Sequence, residues 1–151
     1  MKTIKKIQYY MVPILLLIVS FATVFSQTIW VDEAYSLELA KHSYMNLIKI
    51  DALDVHPPLY YIILRTGFLI FGVSENFIWI GRFVSLVPYV ILMIIGFTVI
   101  KKRYSKTIAY LFNVFIMGMP QMLRYSTEIR MYSWGMLFVT CAFLQMKPIV
   151  E

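Results

Sequence analysis

Pro57-Pro58-Leu59-Tyr60-Tyr61-Ile62-Ile63-Leu64-Arg65-Thr66-Gly67-Phe68-Leu69-Ile70-Phe71-Gly72 is the stretch on which the topology turns. It is apolar enough to enter a bilayer, yet Pro57 to Phe71 is only 15 residues and Arg65 sits at its centre. About 20 apolar residues are needed to cross the ~30 Å hydrocarbon core. An arginine at the middle of a spanning helix costs roughly 2.5–3.5 kcal/mol on insertion scales. The stretch is therefore either a poor span or a helix lying along the membrane surface, and the basic residues elsewhere choose. If it spans, the Lys101–Lys106 cluster falls opposite Lys2, Lys5 and Lys6. If it lies at the interface, both clusters share the cytoplasmic side, as the positive-inside rule asks. The inner side then carries Lys2, Lys5, Lys6, Lys101, Lys102, Arg103, Lys106 and Lys147, with Glu151 as its only acid. Asp32, Glu33, Glu38, Asp51, Asp54, Glu75 and Glu128 all fall outside. Charge favours the surface-lying helix.

Around this stretch lie four uncharged runs: Ile7–Ile29 (23 residues), Phe83–Ile100 (18), Thr107–Leu123 (17) and Met131–Met146 (16). The first has basic residues before it, and Val24-Phe25-Ser26 would suit a signal peptidase. It exceeds the 7–15-residue core of such signals, however, and reads as a retained span. Tyr9, Tyr10 and Trp30 fall where aromatic belts form. Composition agrees: of 151 residues, 60% are hydrophobic and 15% charged, against ~25% charged in soluble domains. Mean hydropathy is +0.73. So few charges exclude a soluble enzyme and a free nucleic-acid binder, and the net charge of +6 serves topology instead. Cys141 has no partner for an intrachain disulfide. The expected fold is all-α: one polytopic transmembrane domain over residues 1–151, about four transmembrane helices and two external juxtamembrane helices. Its N-terminus is expected in the cytoplasm, with the chain in the cell membrane.

The external loop, roughly Trp30–Asn76, reads as two interfacial helices. Leu37, Ala40, Tyr44 and Ile48 recur at helical spacing in the first, with Asp32 placed as its N-cap. The second starts at Pro57-Pro58 and stops near Gly72. Ser74 is placed to cap the next helix, which passes Arg82 and is expected to kink at Pro88. This topology gathers Asp32, Glu33, His56, Arg82, Arg124, Glu128 and Arg130 at one membrane face, with Asp51 and Glu128 external and Lys2 and Arg103 cytoplasmic. Each has an ordinary explanation as well. Asp32 caps a helix, His56 is a loop residue, Arg82 snorkels, and Glu128 with Arg130 forms a solvated turn or an ion pair. Tyr60, Tyr61, Tyr125 and Tyr132 serve as interface anchors. No zinc-site spacing, phosphate-cradling Gly-rich loop or nucleophile–base pair stands out.

Taken in order, though, the segments form a pattern. Trp30-Val31-Asp32-Glu33-Ala34-Tyr35-Ser36 follows the first span. His56-Pro57-Pro58-Leu59-Tyr60-Tyr61, Phe71-Gly72 with Ser74-Glu75, and Arg82 come next. Tyr125-Ser126 with Glu128-Ile129-Arg130-Met131-Tyr132 completes it. From about Tyr9 to Gln145 the chain resembles the glycosyltransferase-C superfamily, specifically the protein O-mannosyltransferase and aminoarabinose transferase group, glycosyltransferase family 39. The resemblance implies a polytopic enzyme that moves a sugar from a polyprenyl-phosphate carrier to a lipid, glycan or protein acceptor outside the cytoplasm. It implies Asp32 as catalytic acid or base, with Glu33 adjacent. His56 stands where the aminoarabinose transferases carry a phosphate-holding lysine, and Arg82 matches a family arginine. Donor binding is thus expected at His56, Arg82 and Arg130, and catalysis at Asp32, Glu33 and Glu128.

The chemistry fits those residue types. Departure of a phosphate-linked sugar needs charge neutralisation, which Arg82 or Arg130 would supply. A hydroxyl nucleophile needs a base, for which Asp32 is the choice, with Glu33 or Glu128 orienting the acceptor or a metal. No cofactor is required by this scheme, and a divalent metal stays open. Members of the superfamily have more spans than the four counted here. The expectation is therefore a truncated product or a subunit that needs a second polypeptide for its remaining helices, and that is inactive alone. The competing class is a small non-enzymatic membrane protein, either a transporter subunit or an assembly scaffold. The four runs hold no ionisable residue, which weakens transport.

Overall fold

A computed structural model of the chain describes residues 2–25, 28–54, 56–72 and 77–150, with side chains between Ile7 and Met146. The expected cap Ser74, with Glu75, lies outside the described residues, as do Glu151 and the side chains of Lys2, Lys5, Lys6 and Lys147. Every described element is helical: α1 (Lys2–Thr23), α2 (Val31–Lys41), α3 (Tyr44–Asp51), α4 (Leu59–Phe71) and α5 (Phe77–Ile95) come first. A π-helical turn (Gly96–Ile100) joins α5 to α6 (Lys101–Arg103), followed by α7 (Lys106–Gly118), α8 (Pro120–Tyr125) and α9 (Tyr132–Val150). The continuous helix Phe77–Arg103 is long and apolar enough to cross a membrane. Ile7–Thr23, Leu59–Phe71 and Lys106–Gly118 are apolar but shorter.

α4 matches the sequence reading closely. Pro58 precedes its first turn, the Ile62 N–H reaches the Pro58 carbonyl at 3.0 Å, and Gly72 ends it with φ of 85°. That left-handed backbone is open to glycine without strain. Arg65 is explained by its partners: its Nη1 donates to the Lys41 carbonyl at 3.0 Å and the Ala40 carbonyl at 3.4 Å. It closes the C-terminus of α2, where a helix leaves carbonyls without donors. One face of α4 packs through Tyr60, Tyr61, Leu64 and Phe68 onto Leu37, Ala40, Leu47, Val84 and Ile129, while Leu69, Ile70 and Phe71 are exposed.

Four expectations need correction. Asp32 is not a cap. Trp30, in extended conformation, precedes the helix without a side-chain cap bond, and Asp32 sits within the first turn beside Glu33. Acidic groups there still complement the helix dipole. The helix drawn through Leu37, Ala40, Tyr44 and Ile48 is two helices. His42 turns extended, and Ser43 restarts the chain by accepting the Asn46 N–H at 3.4 Å. Leu37 and Ala40 are buried, whereas Tyr44 and Ile48 are exposed.

Within the run Ile7–Ile29, helix α1 ends at Thr23. The Val24 and Phe25 N–H groups bond three residues back at 3.2 Å, a tightened final turn. The run Thr107–Leu123 breaks at Met119, because Pro120 offers no N–H to continue α7 and starts α8 instead. The 13 residues of α7 rise about 20 Å. Pro88 lies inside α5, and a π-helical turn follows at Gly96–Ile100. There the buried Asn113 side chain rests on Gly96, in space that any Cβ would occupy.

The bundle has two unlike ends. At one, Lys101 Nζ donates to Tyr10 Oη at 3.2 Å, Lys106 lies 5.2 Å over the Tyr9 ring, and the Arg103 guanidinium meets the Leu144 carbonyl. At the other, Thr23 and Thr127 share a 3.2 Å hydroxyl contact, and Arg82 Nη1 donates to the Val24 carbonyl at 2.5 Å. The helix α5 runs from the second end towards the first.

Candidate functional site

The segment between α8 and α9 is where distant parts of the chain meet. Its backbone is anchored by Glu33, whose buried Oε1 accepts the Ile129 N–H at 3.0 Å. That bond ties the first turn of α2 to the segment 128–130 and brings Asp32 to Arg130. Asp32 Oδ2 lies 3.8 Å from Arg130 Nη2, with Asp32 about half exposed and Arg130 almost fully buried.

His56 enters from the loop before α4. Its Nε2 is 3.0 Å from Arg130 Nη2, and its Nδ1 is 3.1 Å from Asp54 Oδ2. A guanidinium only donates hydrogen bonds, so Nε2 accepts and the ring proton belongs on Nδ1, facing the Asp54 carboxylate. In this arrangement His56 acts as a prop for Arg130, itself ordered by Asp54. Arg130 also keeps its Nε–H buried without a hydrogen-bond partner. Asp32, Tyr35, Asp54, His56 and Arg130 share the wall of a cleft of about 490 Å³. The Tyr35 hydroxyl is pushed up from its usual range, first by burial and then by its hydrogen bond to Asp54.

A second cleft of about 490 Å³ opens on the other side of the same segment, between Trp30, Glu33, Arg124 and Glu128. Arg124 stacks 4.9 Å over the Trp30 ring, and its Nε lies 3.7 Å from Glu128 Oε2. Glu128 is 2% exposed, and neither of its oxygens has a hydrogen-bond partner. Burial raises its pKa, and nearby Glu33 adds to that while Arg124 opposes it. Beneath α4, burial pushes the Tyr61 hydroxyl up to about 12. It also raises the Tyr60 hydroxyl, which bonds Ser85 Oγ at 3.1 Å. Asp51 is raised too, by burial first and then by Asp54.

Of the six residues expected to act, the structure brings Asp32, His56 and Arg130 into one cleft and Glu33 with Glu128 into the other. Arg82 is buried, donates to the Val24 carbonyl and lines neither cleft. Sequence reasoning passed over Asp54, Tyr35, Trp30 and the role of Arg124. Only Asp54 left a readable signal, two residues before His56. Among the described residues no three His, Cys, Asp or Glu side chains converge as metal ligands.

No family model, curated protein or solved structure matches the chain.

Proposed function

We propose that the chain forms the active-site end of a glycosyltransferase-like membrane protein, using a polyprenyl-phosphate sugar as donor and a hydroxyl on a lipid, glycan or protein as acceptor. The observation that carries this reading is the facing pair of Asp32 and Arg130 in one cleft: an accessible carboxylate opposite a buried cation that still has an unused donor.

In the proposed step, Asp32 takes the proton of the acceptor hydroxyl. The acceptor oxygen bonds to the anomeric carbon as the bond from that carbon to the phosphate oxygen breaks. The electron pair leaves with polyprenyl phosphate, whose growing charge is met by Arg130, and the sugar inverts. His56 and Asp54 hold Arg130 in place. Glu33 holds the 128–130 segment, and Glu128 with Trp30 receives acceptor or sugar hydroxyls in the second cleft. Because Asp32 and Arg124 are about half exposed, further helices from a partner polypeptide would wall the clefts and exclude water.

The reading includes four membrane spans (α1, α5–α6, α7 with α8, and α9), with α2–α4 along the outer face and the N-terminus in the cytoplasm of a cell-membrane protein. Supporting it are the contact of Lys101 with Tyr10 at one end and the gathering of acids at the other. The apolar residues exposed along α1 and α9, such as Leu15, Ile18, Val139 and Phe143, also suit lipid.

Two measurements test the proposal. After Cys141→Ser, Leu53→Cys should react with an impermeant thiol reagent in intact cells and Lys102→Cys only after permeabilisation; the reverse pattern overturns the topology. The purified chain should bind a short polyprenyl monophosphate and lose that binding in Arg130→Gln. A chain that binds no polyprenyl phosphate would be the non-enzymatic scaffold instead.

A further inference from the structure

At the end of the bundle away from the two clefts, a groove of about 550 Å³ runs between the helix end at Ile100–Tyr104, α7 and α9. Its walls are Ile108, Phe112, Val139, Phe143 and Leu144, with the hydroxyls of Tyr104 and Thr140 among them. Val139 and Phe143 are largely exposed, so among the described residues nothing covers this apolar surface. At its rim the Arg103 guanidinium is fixed on the Leu144 carbonyl, a wall residue. Only one of the five N–H donors of this fork is committed by that bond. Lys102, the preceding residue, is exposed, and among the described residues no carboxylate pairs with Lys101, Lys102, Arg103 or Lys106.

We infer that this groove is a binding site for an anionic phospholipid. One acyl chain lies along Ile108, Phe112 and Phe143, and the headgroup phosphate sits on Arg103 with Lys102 beside it. An apolar trough that ends in uncompensated cations, on a chain whose helix Phe77–Arg103 can cross a bilayer, complements a molecule with an apolar tail and a negative head. Basic side chains near an anionic lipid surface each contribute about fivefold in affinity. A groove for a polypeptide helix would offer no comparable reason for the unpaired cations. The inference does not depend on sugar transfer.

The purified chain in neutral detergent should be titrated with short-chain phosphatidylglycerol and with phosphatidylcholine of the same tails, following the melting temperature and retained lipid by native mass spectrometry. Phosphatidylglycerol should stabilise the chain and stay bound, and phosphatidylcholine should bind at least tenfold more weakly. Lys102→Gln with Arg103→Gln should cut phosphatidylglycerol affinity roughly 25-fold and erase the preference. Should that pair disturb folding, Val139→Trp fills the groove from an exposed position and should abolish binding of both lipids with the fold intact. Equal binding of the two lipids, or undiminished preference in the charge variant, would overturn the inference. So would a dimer that Val139→Trp dissociates, since the groove would then belong to a second copy of the chain.

Discussion

Arg65 and Arg82 on one side, and Arg130 on the other, show how the same side chain takes opposite roles in neighbouring parts of this molecule. Arg65 closes α2 by donating to the Ala40 and Lys41 carbonyls, and Arg82 pins the end of α1 through Val24. The carbonyls they meet are backbone oxygens that the fold supplies permanently. Arg130 instead meets side chains, His56 at 3.0 Å and the half-exposed Asp32 at 3.8 Å. Backbone carbonyls cannot leave, whereas a half-exposed carboxylate can turn to a substrate. A carboxylate that is half open to solvent beside the guanidinium therefore marks Arg130 as the arginine that can receive an anion, a mark that burial alone would miss, since both Arg82 and Arg130 are buried.

The largest expected effect tests the functional side of that contrast. Asp32→Asn removes the base and its charge while leaving the half-exposed position filled. In membranes that support transfer, activity should fall by two or more orders of magnitude. Melting temperature should move little, because Asp32 is half exposed and 3.8 Å from Arg130, and an ion pair open to solvent contributes about 0–1 kcal/mol. Near-normal transfer by a folded Asp32→Asn protein would reduce Asp32 to a helix-terminus charge and leave Arg130 without a catalytic counterpart.

The structural side predicts the opposite split. Arg82→Leu leaves the buried Val24 carbonyl without its donor and should lower stability by about 3 kcal/mol in denaturant or thermal unfolding. Arg130→Gln should cost less than half of that and still lose polyprenyl-phosphate binding. Arg65→Gln should cost about 1 kcal/mol, the usual net worth of such hydrogen bonds, with lipid-phosphate binding intact. If Arg82→Leu abolished phosphate binding in a fully stable protein, Arg82 would join the site as the sequence resemblance implied.

How far these roles were legible in the sequence depends on whether their cause was local. Pro58 and Gly72 bracket α4 through their own backbone restrictions, so both of its ends were readable. The break at His42-Ser43 was hidden, because apolar spacing continues from Ala40 to Tyr44 while the interruption comes from a side-chain cap at Ser43. The break at Met119 was hidden for another reason: hydropathy does not register that Pro120 lacks an N–H. In the site, charge sorting predicted a common face for Asp32, His56 and Arg130. It could not show that Glu33 accepts the Ile129 N–H, that Asp54 orders His56, or that Arg82 turns to a backbone carbonyl. The first and last depend on tertiary contacts 96 and 58 residues apart in sequence, Ile129 to Glu33 and Arg82 to Val24.

The smallest expected effect sharpens the comparison between the two carboxylates that flank the 128–130 segment. Glu33 spends its buried oxygen on a backbone N–H, whereas Glu128 is equally buried with no hydrogen bond to either oxygen. Burial raises the Glu128 pKa above the ordinary 4.5, so the folded protein holds this proton more tightly than the unfolded chain does. Stability from this group is therefore fully present below about pH 4.5 and is lost as pH rises through the higher folded value. Glu128→Gln keeps the shape and removes the ionisation. It should unfold at a slightly higher temperature than the natural protein at neutral pH, with a flatter stability profile above pH 4.5, while the two converge in acid. Glu33→Gln should show no such gain, since its carboxylate already has a donor and the amide is a weaker acceptor there. Parallel pH profiles for the natural protein and Glu128→Gln would mean that Glu128 ionises freely in the fold, with Arg124 and solvent meeting its charge.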